Sequence, residues 1–238
     1  LLPEGRSATT DAIKEHGADF GIAWDGDFDR CFLFDENGSF IEGYYIVGLL
    51  GSQMLSQNPN EKIIHDPRLI WNTQEMASQS GGTAVQSKAG HAFIKEKMRE
   101  VNAIYGGEMS AHHFFRDFGY CDSGMIPWLL ISEIMTEQNK SMSQLVNERI
   151  EAYPVSGEIN RTVGDAQKVI ESVKKYFDGQ SYEFDSTDGI GLTFDTWRFN
   201  IRSSNTEPLL RLNVESKGDI KLMEEKRDLL LNLIDQNK

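Results

Sequence analysis

The segment WDGDFDR, residues 24–30, places three aspartates at alternate positions and ends with an arginine. In an extended chain, side chains at i, i+2 and i+4 project to one side, so we expect Asp25, Asp27 and Asp29 to converge. Carboxylates held this close repel one another unless a cation lies between them. A group of carboxylate oxygens is also what Mg²⁺ prefers as ligands. The spacing therefore favours a magnesium site with Arg30 beside it.

Three alternatives to a magnesium site stay open for this segment. A calcium EF-hand has a similar acidic spacing, but Arg30 stands where its sharp turn needs glycine, and an apolar run follows. A phosphatase with an aspartyl nucleophile also carries an Asp-x-Asp pair after a strand, with Thr or Val in the place of Asp29. A solvated acidic turn between two strands is the simplest alternative. Three aspartates with an adjacent arginine favour the metal site.

A second polar segment, GGEMSAHHFF at residues 106–115, follows an apolar strand candidate. Glu108, Ser110, His112 and His113 supply acceptors, donors and a titratable ring within one turn, a mixture that suits the hydroxyls of a sugar. Upstream, SKAGHAF places Lys88 and His91 on a glycine-containing turn before a predicted helix, where anions are favoured. Taken alone, GGEMSAHHFF also fits an ordinary polar loop, and SKAGHAF is only a weak indication of an anion site.

A third segment, RFNIRSSNTEPLLRLNVES, begins as a strand with apolar residues on one face and polar residues on the other. Arg202 ends the polar face, and the chain then turns through Ser204, Asn205 and Thr206. Hydroxyls, an amide and turn N–H groups beside an arginine can form a phosphate cradle. A hairpin turn rich in Ser, Asn and Thr accounts for the segment equally well.

The elements around these segments predict two kinds of architecture. Strand and helix patterns alternate from about residue 40 to 150, which predicts an α/β layer domain. Beyond Tyr153-Pro154, one helix, four strand candidates and a last amphipathic helix predict a small α+β domain with an antiparallel sheet. WDGDFDR lies between two strand candidates, ADFGIAWD and CFLFDENG, ahead of both domains.

Composition excludes several classes of function. The 238 residues carry a formal charge of −13, which argues against nucleic acid and anionic membranes as partners. The longest apolar stretch, MIPWLLI, is too short to cross a bilayer. Two cysteines without metal-binding spacing indicate a reducing compartment, and we expect a cytoplasmic protein. The length favours two compact units over one.

Taken in order, WDGDFDR, GGEMSAHH and RSSNTEP resemble the metal, sugar and phosphate loops of the α-D-phosphohexomutase family, and most closely its bacterial phosphomannomutases. The likeness continues through IIHDPRLIWNT, SKAGHAFIKEKM and CDSGMIPWLL, so that it covers nearly the whole chain. The family fold has four domains around a cleft. The resemblance implies that residues 1–39 are the tail of the second domain, residues 40–152 the third and residues 153–238 the fourth.

The resemblance also implies a reaction and its residues. The enzyme would interconvert mannose 1-phosphate and mannose 6-phosphate through a phosphoserine and a hexose bisphosphate. It would act on glucose phosphates in the same way, and its product would feed GDP-mannose and polysaccharide synthesis. Mg²⁺ would be bound by Asp25, Asp27 and Asp29. Catalytic roles at the transferring phosphoryl group would fall to Arg30, His91 and His112. The implied substrate-binding residues are Glu108, Ser110, Lys88, Arg202, Ser204, Asn205 and Thr206.

One feature of the family has no counterpart in the sequence. Its nucleophile sits in a Ser-His-Asn-Pro string of the first domain, and no such string occurs here. We therefore expect the N-terminal domains to be missing and the chain to be inactive alone. Where some relatives carry a lysine, this chain has Arg68, which stays protonated and makes a poor general base. Two rivals stay open: a non-catalytic sugar-phosphate binding module, and a metal-dependent phosphatase with Asp25 as nucleophile.

Overall fold

The computed structural model describes residues 3–204 and 209–237, so Asn205 and Thr206 of the predicted phosphate loop lie outside the described residues. The chain divides into two compact units. Unit 1 is Leu1–Asp66 with Ile70–Arg149, and unit 2 is Pro67–Leu69 with Ile150–Lys238. The predicted α/β and α+β classes are confirmed, while the three-part division at residues 39 and 152 stays a prediction. Within the described residues, every helix is too short or too polar to span a membrane.

Unit 1 combines a hairpin with a mixed sheet. The α-helices that begin in it are α1 (Ser7–His16), α2 (Gly43–Gln57), α3 (Trp71–Gln79), α4 (His91–Val101), α5 (Ile126–Gln138) and α6 (Met142–Ala152). Its strands are β1 (Phe20–Trp24), β2 (Cys31–Asp35), β3 (Lys62–His65), β4 (Thr83–Gln86), β5 (Tyr105–Gly107), β6 (His113–Phe115) and β7 (Cys121–Asp122). β1 and β2 pair antiparallel, and the second sheet has the order β4-β3-β5-β6-β7. In that sheet β3 runs parallel to β4 and β5, and the remaining pairs are antiparallel.

Local sequence explains several of these boundaries. α5 carries Pro127 in its first turn, the position that tolerates proline. α6 begins with the predicted capping box, because the N–H of Ser141 donates to Gln144 Oε1 at 2.9 Å and the N–H of Gln144 donates to Ser141 Oγ at 3.4 Å. After α3, Gly81 adopts the expected left-handed conformation with a φ of +75°.

The sequence patterns missed four elements. α1 is polar along most of its length and buries only Ile13 among its ten residues, so it gives little periodic signal. β6 and β7 have three and two residues, and β8 (Ile159–Thr162) has four, which is too short for alternation to stand out. GGEMSAHHFF is therefore not one polar loop, because its last three residues form β6.

Unit 2 is an antiparallel sheet with two helices. Its further strands are β9 (Glu183–Asp185), β10 (Ile190–Thr193), β11 (Trp197–Ser203) and β12 (Leu209–Ser216), and the sheet order is β8-β12-β11-β10-β9. Its helices, α7 (Ala166–Tyr176) and α8 (Ile220–Gln236), each begin after an aspartate that accepts a backbone N–H, at 3.1 Å for Asp165 and 3.0 Å for Asp219. The core includes Val173, Leu192, Phe199, Leu212 and Leu230, all 0% exposed.

The predicted polar face of β11 is not a solvated one. Residues 197–201 are all buried, and the guanidinium of Arg198 pairs with Glu215 of β12 at 3.0 Å. Arg198 also donates to the backbone carbonyls of Arg68 at 2.9 Å and Pro67 at 3.1 Å. These bonds explain why Pro67–Leu69 belongs to unit 2 although the chain on either side belongs to unit 1.

Candidate functional site

The WDGDFDR loop connects β1 to β2 through a turn and not through an extended segment. Phe28 at its tip has a φ of +63°, a left-handed conformation that is uncommon for a bulky residue. The predicted convergence of Asp25, Asp27 and Asp29 occurs, since one oxygen of each lies within 4.8 Å of the others. The expectation that strand alternation gathers the three carboxylates is wrong, because the turn brings them together. We call these three residues the aspartate triad.

The carboxylates of the triad differ in how their charge is balanced. Asp25 accepts hydrogen bonds from the backbone N–H of Arg30 at 3.2 Å and from its Nε at 2.6 Å. Burial opposes ionisation of Asp25, but these bonds and the charge of Arg30 outweigh it and hold the pKa of Asp25 below its usual value. For Asp29, burial and then repulsion from Asp25 and Asp27 raise the pKa.

The triad fits a divalent cation on two observations. Three carboxylates face a single arginine, and the Oδ1 atom of Asp29 is buried without a hydrogen-bond partner. A buried acceptor without a donor is costly, and an ion that prefers oxygen ligands removes that cost. Mg²⁺ would therefore be held by Asp25, Asp27 and Asp29.

Backbone pairing joins the triad loop to the GGEMSAHH loop. Arg30 and His112 form an antiparallel bridge, and the N–H of Cys31 donates to the carbonyl of Ala111 at 3.1 Å. Ala111 has a φ of +72°, so the second loop turns sharply just before His112. Two segments far apart in sequence are thus fixed side by side by main-chain contacts, which hold them more firmly than side-chain contacts alone.

A second attachment holds the triad loop against the segment after β7. The indole Nε1 of Trp24 donates to the carbonyl of Gly124 at 2.8 Å. A Cβ on Gly124 would lie 2.4 Å from the carbonyl oxygen of Phe28, so only glycine allows this approach. The side chain of Asp122, two residues before Gly124, is thereby brought next to the triad.

Asp29 belongs to a second group, which we call the histidine–aspartate cluster. Its members are Asp29, His91, His112 and Asp122, each offering one atom within 4.8 Å of the others. The two imidazoles are hydrogen bonded, with His91 Nε2 lying 3.2 Å from His112 Nδ1. His91 stands at the first position of α4 with its side chain 43% exposed, and His112 is more enclosed at 15%. The structure thus brings both predicted catalytic histidines to the triad.

The protonation state of His112 follows from its surroundings. Burial, and then the charge of His91, lower its pKa to about 4, against the opposing pull of Asp122. At neutral pH the ring is neutral and holds a lone pair that can accept a proton. His113, the next residue, points elsewhere: it is fully buried on β6 and hydrogen bonded to the hydroxyl of Tyr105 at 2.7 Å. Burial lowers the pKa of His113 to about 3, and His113 is a core residue.

Sequence reasoning missed Asp122 and Lys95. Asp122 Oδ2 lies 3.3 Å from both His91 Nε2 and His112 Nδ1, and Asp122 Oδ1 lies 3.2 Å from Lys95 Nζ. Lys95 follows His91 by one helical turn on α4, which was an available signal. Asp122 gave no signal, because a lone aspartate on a two-residue strand has no pattern around it.

The predicted sugar-binding residues lie on the same loop as His112. Glu108 is 3% exposed, and its Oε1 accepts the backbone N–H of Gly90 at 2.8 Å, which attaches the loop to the turn before α4. Asp66 supports the loop as well, accepting the N–H of Met109 at 2.9 Å. Ser110 is half-buried in the turn. Lys88 is exposed with its Nζ 4.9 Å from the Phe93 ring, and its role in substrate binding stays a prediction.

In unit 2 the predicted phosphate segment ends at a group that we call the arginine cluster. Three arginines surround Glu158: Arg68 and Arg202 each at 3.3 Å and Arg211 at 3.7 Å. Asp188 lies 3.7 Å from Arg202. The cluster carries one net positive charge, from three guanidinium groups and two carboxylates. The N–H of Ser204 closes the hairpin on the carbonyl of Leu209 at 2.8 Å.

Comparison with known proteins shows the family to which the chain belongs. The family model described as "Phosphoglucomutase/phosphomannomutase, alpha/beta/alpha domain III" matches residues 42–153, and the model of the same family's C-terminal domain matches residues 158–231. A protein from Xanthomonas campestris pv. campestris named "Phosphohexose mutases" is 60% identical over 234 residues, which are 98% of this chain and 52% of the relative. A protein from Escherichia coli K12 named "Phosphomannomutase" is 59% identical over 236 residues, 99% of this chain and 52% of the relative.

Solved structures show the same likeness. A phosphoglucomutase/phosphomannomutase family protein from Burkholderia thailandensis matches 98% of this chain and 51% of its own, with a TM-score of 0.81 and 26% identity. The chain thus spans about half the length of the curated relatives and of this structure.

Proposed function

Since the chain belongs to the phosphoglucomutase/phosphomannomutase family, we propose that it forms the metal- and sugar-phosphate-binding part of a phosphomannomutase. The whole enzyme interconverts mannose 1-phosphate and mannose 6-phosphate, with glucose phosphates as further substrates. It does so through a phosphoserine and a hexose bisphosphate, and it supplies GDP-mannose for polysaccharide synthesis in the cytoplasm. The observation that carries the proposal is the backbone bridge from Arg30 to His112, which sets the aspartate triad beside the GGEMSAHH loop.

In unit 1, the aspartate triad would hold Mg²⁺, which would supply positive charge to neutralise the transferring phosphoryl group. Arg30 remains fixed by Asp25 and directs its guanidinium to the same region. His112, neutral because it is buried, accepts the proton of the sugar hydroxyl that takes up the phosphoryl group. His91 shares a hydrogen bond with His112 and keeps its ring oriented.

The sugar is held by Glu108 and Ser110, with Lys88 at the preceding turn. Glu108 is already oriented by the N–H of Gly90, so one of its oxygens faces a fixed donor and the carboxylate cannot rotate freely. In unit 2, Arg202 and Ser204, with Asn205 and Thr206, bind the phosphate that does not react. To bind the phosphate, the guanidinium of Arg202 gives up its contact with Glu158, which is 3.3 Å long, and pairs with the phosphate instead.

The direct test is calorimetric titration of the chain with mannose 6-phosphate in the presence of Mg²⁺. We expect Arg202→Ala to weaken binding by about 1.5–3 kcal/mol, the range for hydrogen bonds to a charged group. The matched control is Arg161→Ala, because Arg161 is a half-exposed arginine of the same sheet whose guanidinium lies 3.8 Å from Asp235. Equal affinity of wild type and Arg202→Ala would contradict the phosphate assignment.

A second test concerns catalysis. The 238 residues contain no Ser-His-Asn-Pro string, so we expect mutase assays of this chain to give only background. We expect the full-length parent protein to carry one phosphoserine in a His-Asn-Pro context, detectable by peptide mass spectrometry. Robust turnover by the 238 residues would overturn the division of roles, and a full-length parent without the phosphoserine would leave a sugar-phosphate binding module instead.

The phosphatase alternative can be tested on the same preparation. With Asp25 as nucleophile, the chain would release phosphate from mannose 6-phosphate, and Asp25→Asn would abolish the release. Both oxygens of Asp25 are engaged by Arg30, at 3.2 Å and 2.6 Å, which disfavours nucleophilic attack. We expect no phosphate release.

A further inference from the structure

The histidine–aspartate cluster has a geometry that its proposed role in proton transfer does not require. Asp122 is enclosed, with its side chain 8% exposed, and its buried Oδ2 lies 3.3 Å from one nitrogen of each imidazole without a well-aligned hydrogen bond. The other oxygen of Asp122 is held by Lys95 at 3.2 Å. An enclosed carboxylate oxygen that faces two imidazole nitrogens is well placed to share a metal ion with them.

Five of the six distances among the four ligand atoms are close to those of a tetrahedral site, and all four atoms lie within 4.8 Å of one another. His91 Nε2 lies 3.2 Å from His112 Nδ1, and each of these nitrogens lies 3.3 Å from Asp122 Oδ2. Asp29 Oδ2 lies 3.8 Å from His91 Nε2 and 3.7 Å from His112 Nδ1. Four N and O ligands about 2.0–2.2 Å from a central ion lie about 3.3–3.6 Å from one another.

We propose that the histidine–aspartate cluster binds one divalent transition-metal ion, with Zn²⁺ as the ion that suits it best. Two imidazoles and two carboxylates in a tetrahedron fit Zn²⁺ and Co²⁺, whereas Mg²⁺ prefers six oxygen ligands. The site does not depend on the sugar-phosphate roles proposed above. It is separate from the aspartate triad in three of its four ligands.

Asp29 links the two metal sites. Its Oδ2 faces the histidines, while its Oδ1 lies 4.0 Å from Arg30 on the side of the triad. Binding of a transition ion therefore engages a carboxylate that the triad also uses. The ion also occupies the lone pair of His112 that would accept a proton. Metal binding at this site is independent of the proposed function, whereas one consequence rests on it: with His112 as the proton acceptor, abundant Zn²⁺ is expected to inhibit the enzyme.

The experiment is titration of the 238-residue chain with Co²⁺, followed by its visible absorption and checked by equilibrium dialysis against Zn²⁺. We expect one equivalent of Co²⁺ to give the intense bands of a tetrahedral complex, and Zn²⁺ to displace it. Asp122→Asn should weaken Co²⁺ binding at least tenfold while leaving Mg²⁺ binding intact. Asp27→Asn should do the opposite, because Asp27 belongs to the triad alone, and Asp29→Asn should impair both ions.

Two controls show whether the Co²⁺ spectrum arises at this site. His16→Gln removes an exposed histidine on α1 and should leave the Co²⁺ spectrum unchanged, which excludes adventitious binding to surface histidines. If circular dichroism shows that Asp122→Asn is unfolded, His91→Ala replaces it, since the His91 side chain is 43% exposed. Absence of tetrahedral bands in the wild type, equal Co²⁺ binding by Asp122→Asn, or its loss in Asp27→Asn would each overturn the proposal.

Discussion

The charged groups of unit 1 and unit 2 differ in how far their charges are balanced by residues of the protein itself. Around the aspartate triad and the histidine–aspartate cluster, four carboxylates face two cations, Arg30 and Lys95, so negative charge is left over. In the arginine cluster, three guanidinium groups already hold Glu158, and one of them holds Asp188 as well. The first group has fewer cationic partners than carboxylates, whereas the carboxylates of the second group are all paired with arginines.

This difference bears on how each group meets a ligand. A cation that binds in unit 1 relieves repulsion that already exists between carboxylates, so its binding should also increase the free energy of unfolding of unit 1. A phosphate that enters the arginine cluster must replace Glu158, so its binding is weakened by the contact that it breaks. The buried Arg198–Glu215 pair is the limiting case of the second kind, because both charges are satisfied internally and neither is accessible.

The largest expected effect concerns that buried pair. Glu215→Gln removes the partner of a guanidinium that is 1% exposed, and we expect the free energy of unfolding of unit 2 to fall by about 3–5 kcal/mol. Urea denaturation followed by hydrogen exchange of β11 and β12 measures it. The matched control is Glu148→Gln, which breaks an exposed 3.0 Å pair with Lys140 and should change stability by less than about 1 kcal/mol. Similar losses for both variants would mean that burial does not decide the value of a pair here.

The next effect is a dependence on pH that should be confined to unit 1, which contains all five histidines. Burial lowers the pKa of His113 to about 3 and that of His112 to about 4, from a usual 6.5. The unfolded chain therefore takes up protons first as the pH falls below 6.5. Stability is fully present above pH 6.5 and declines below it by about 1.4 kcal/mol per pH unit for each of the two histidines.

Unfolding free energies measured from pH 7.5 to 4.5 test this dependence. His113→Gln should reduce the slope by about one proton, or about 1.4 kcal/mol per pH unit, while His16→Gln on exposed α1 should leave it unchanged. For unit 2, which contains no histidine, we expect an unfolding free energy that does not change between pH 7.5 and about pH 5. A slope that survives in His113→Gln would assign the acid sensitivity to other groups.

Local patterns are sufficient to predict most of the fold and the chemical types in the site. α4 spans the predicted HAFIKEKMREV, and α6 begins with its predicted capping box. The strands predicted in RFNIRSSNTEPLLRLNVES form the antiparallel pair β11 and β12. These features depend on residues close in sequence. Three aspartates in one segment likewise predict the triad, although they do not predict the turn that gathers them.

The missed features depend on contacts between distant segments. Gly124, two residues after Asp122, packs closely against the triad loop, and Arg30 meets His112 through a backbone bridge. Alternation places Arg198 on a polar face but does not predict what covers that face, and Glu215 together with two backbone carbonyls covers it. Such pairings leave no periodic trace in a single sequence.

A smaller effect is expected on phosphate binding to the arginine cluster, where Glu158 and the phosphate compete for the same arginines. Glu158→Gln removes the anion that the three arginines share, so phosphate no longer competes with a full negative charge. We expect inorganic phosphate to bind about three- to tenfold more tightly, or about 0.7–1.4 kcal/mol. Calorimetric titration measures it, with Glu183→Gln on the edge strand β9 as the control of equal charge change. Unchanged or weaker binding by Glu158→Gln would show that Glu158 positions the arginines and does not compete with the anion.

The smallest expected effect is a change in melting temperature, measured in EDTA, that has opposite signs for two variants of the triad. Burial and then repulsion from Asp25 and Asp27 raise the pKa of Asp29, so Asp29→Asn should remove an unfavourable charge and increase the melting temperature by about 1–3 °C. Asp25→Asn removes the partner of Arg30 and should lower it by a similar amount, since Arg30 holds the pKa of Asp25 down. Mg²⁺ should stabilise the wild type and neither variant. If both variants lost stability equally in EDTA, the triad would not be repulsive, and unit 1 would resemble the arginine cluster in having its charges balanced internally.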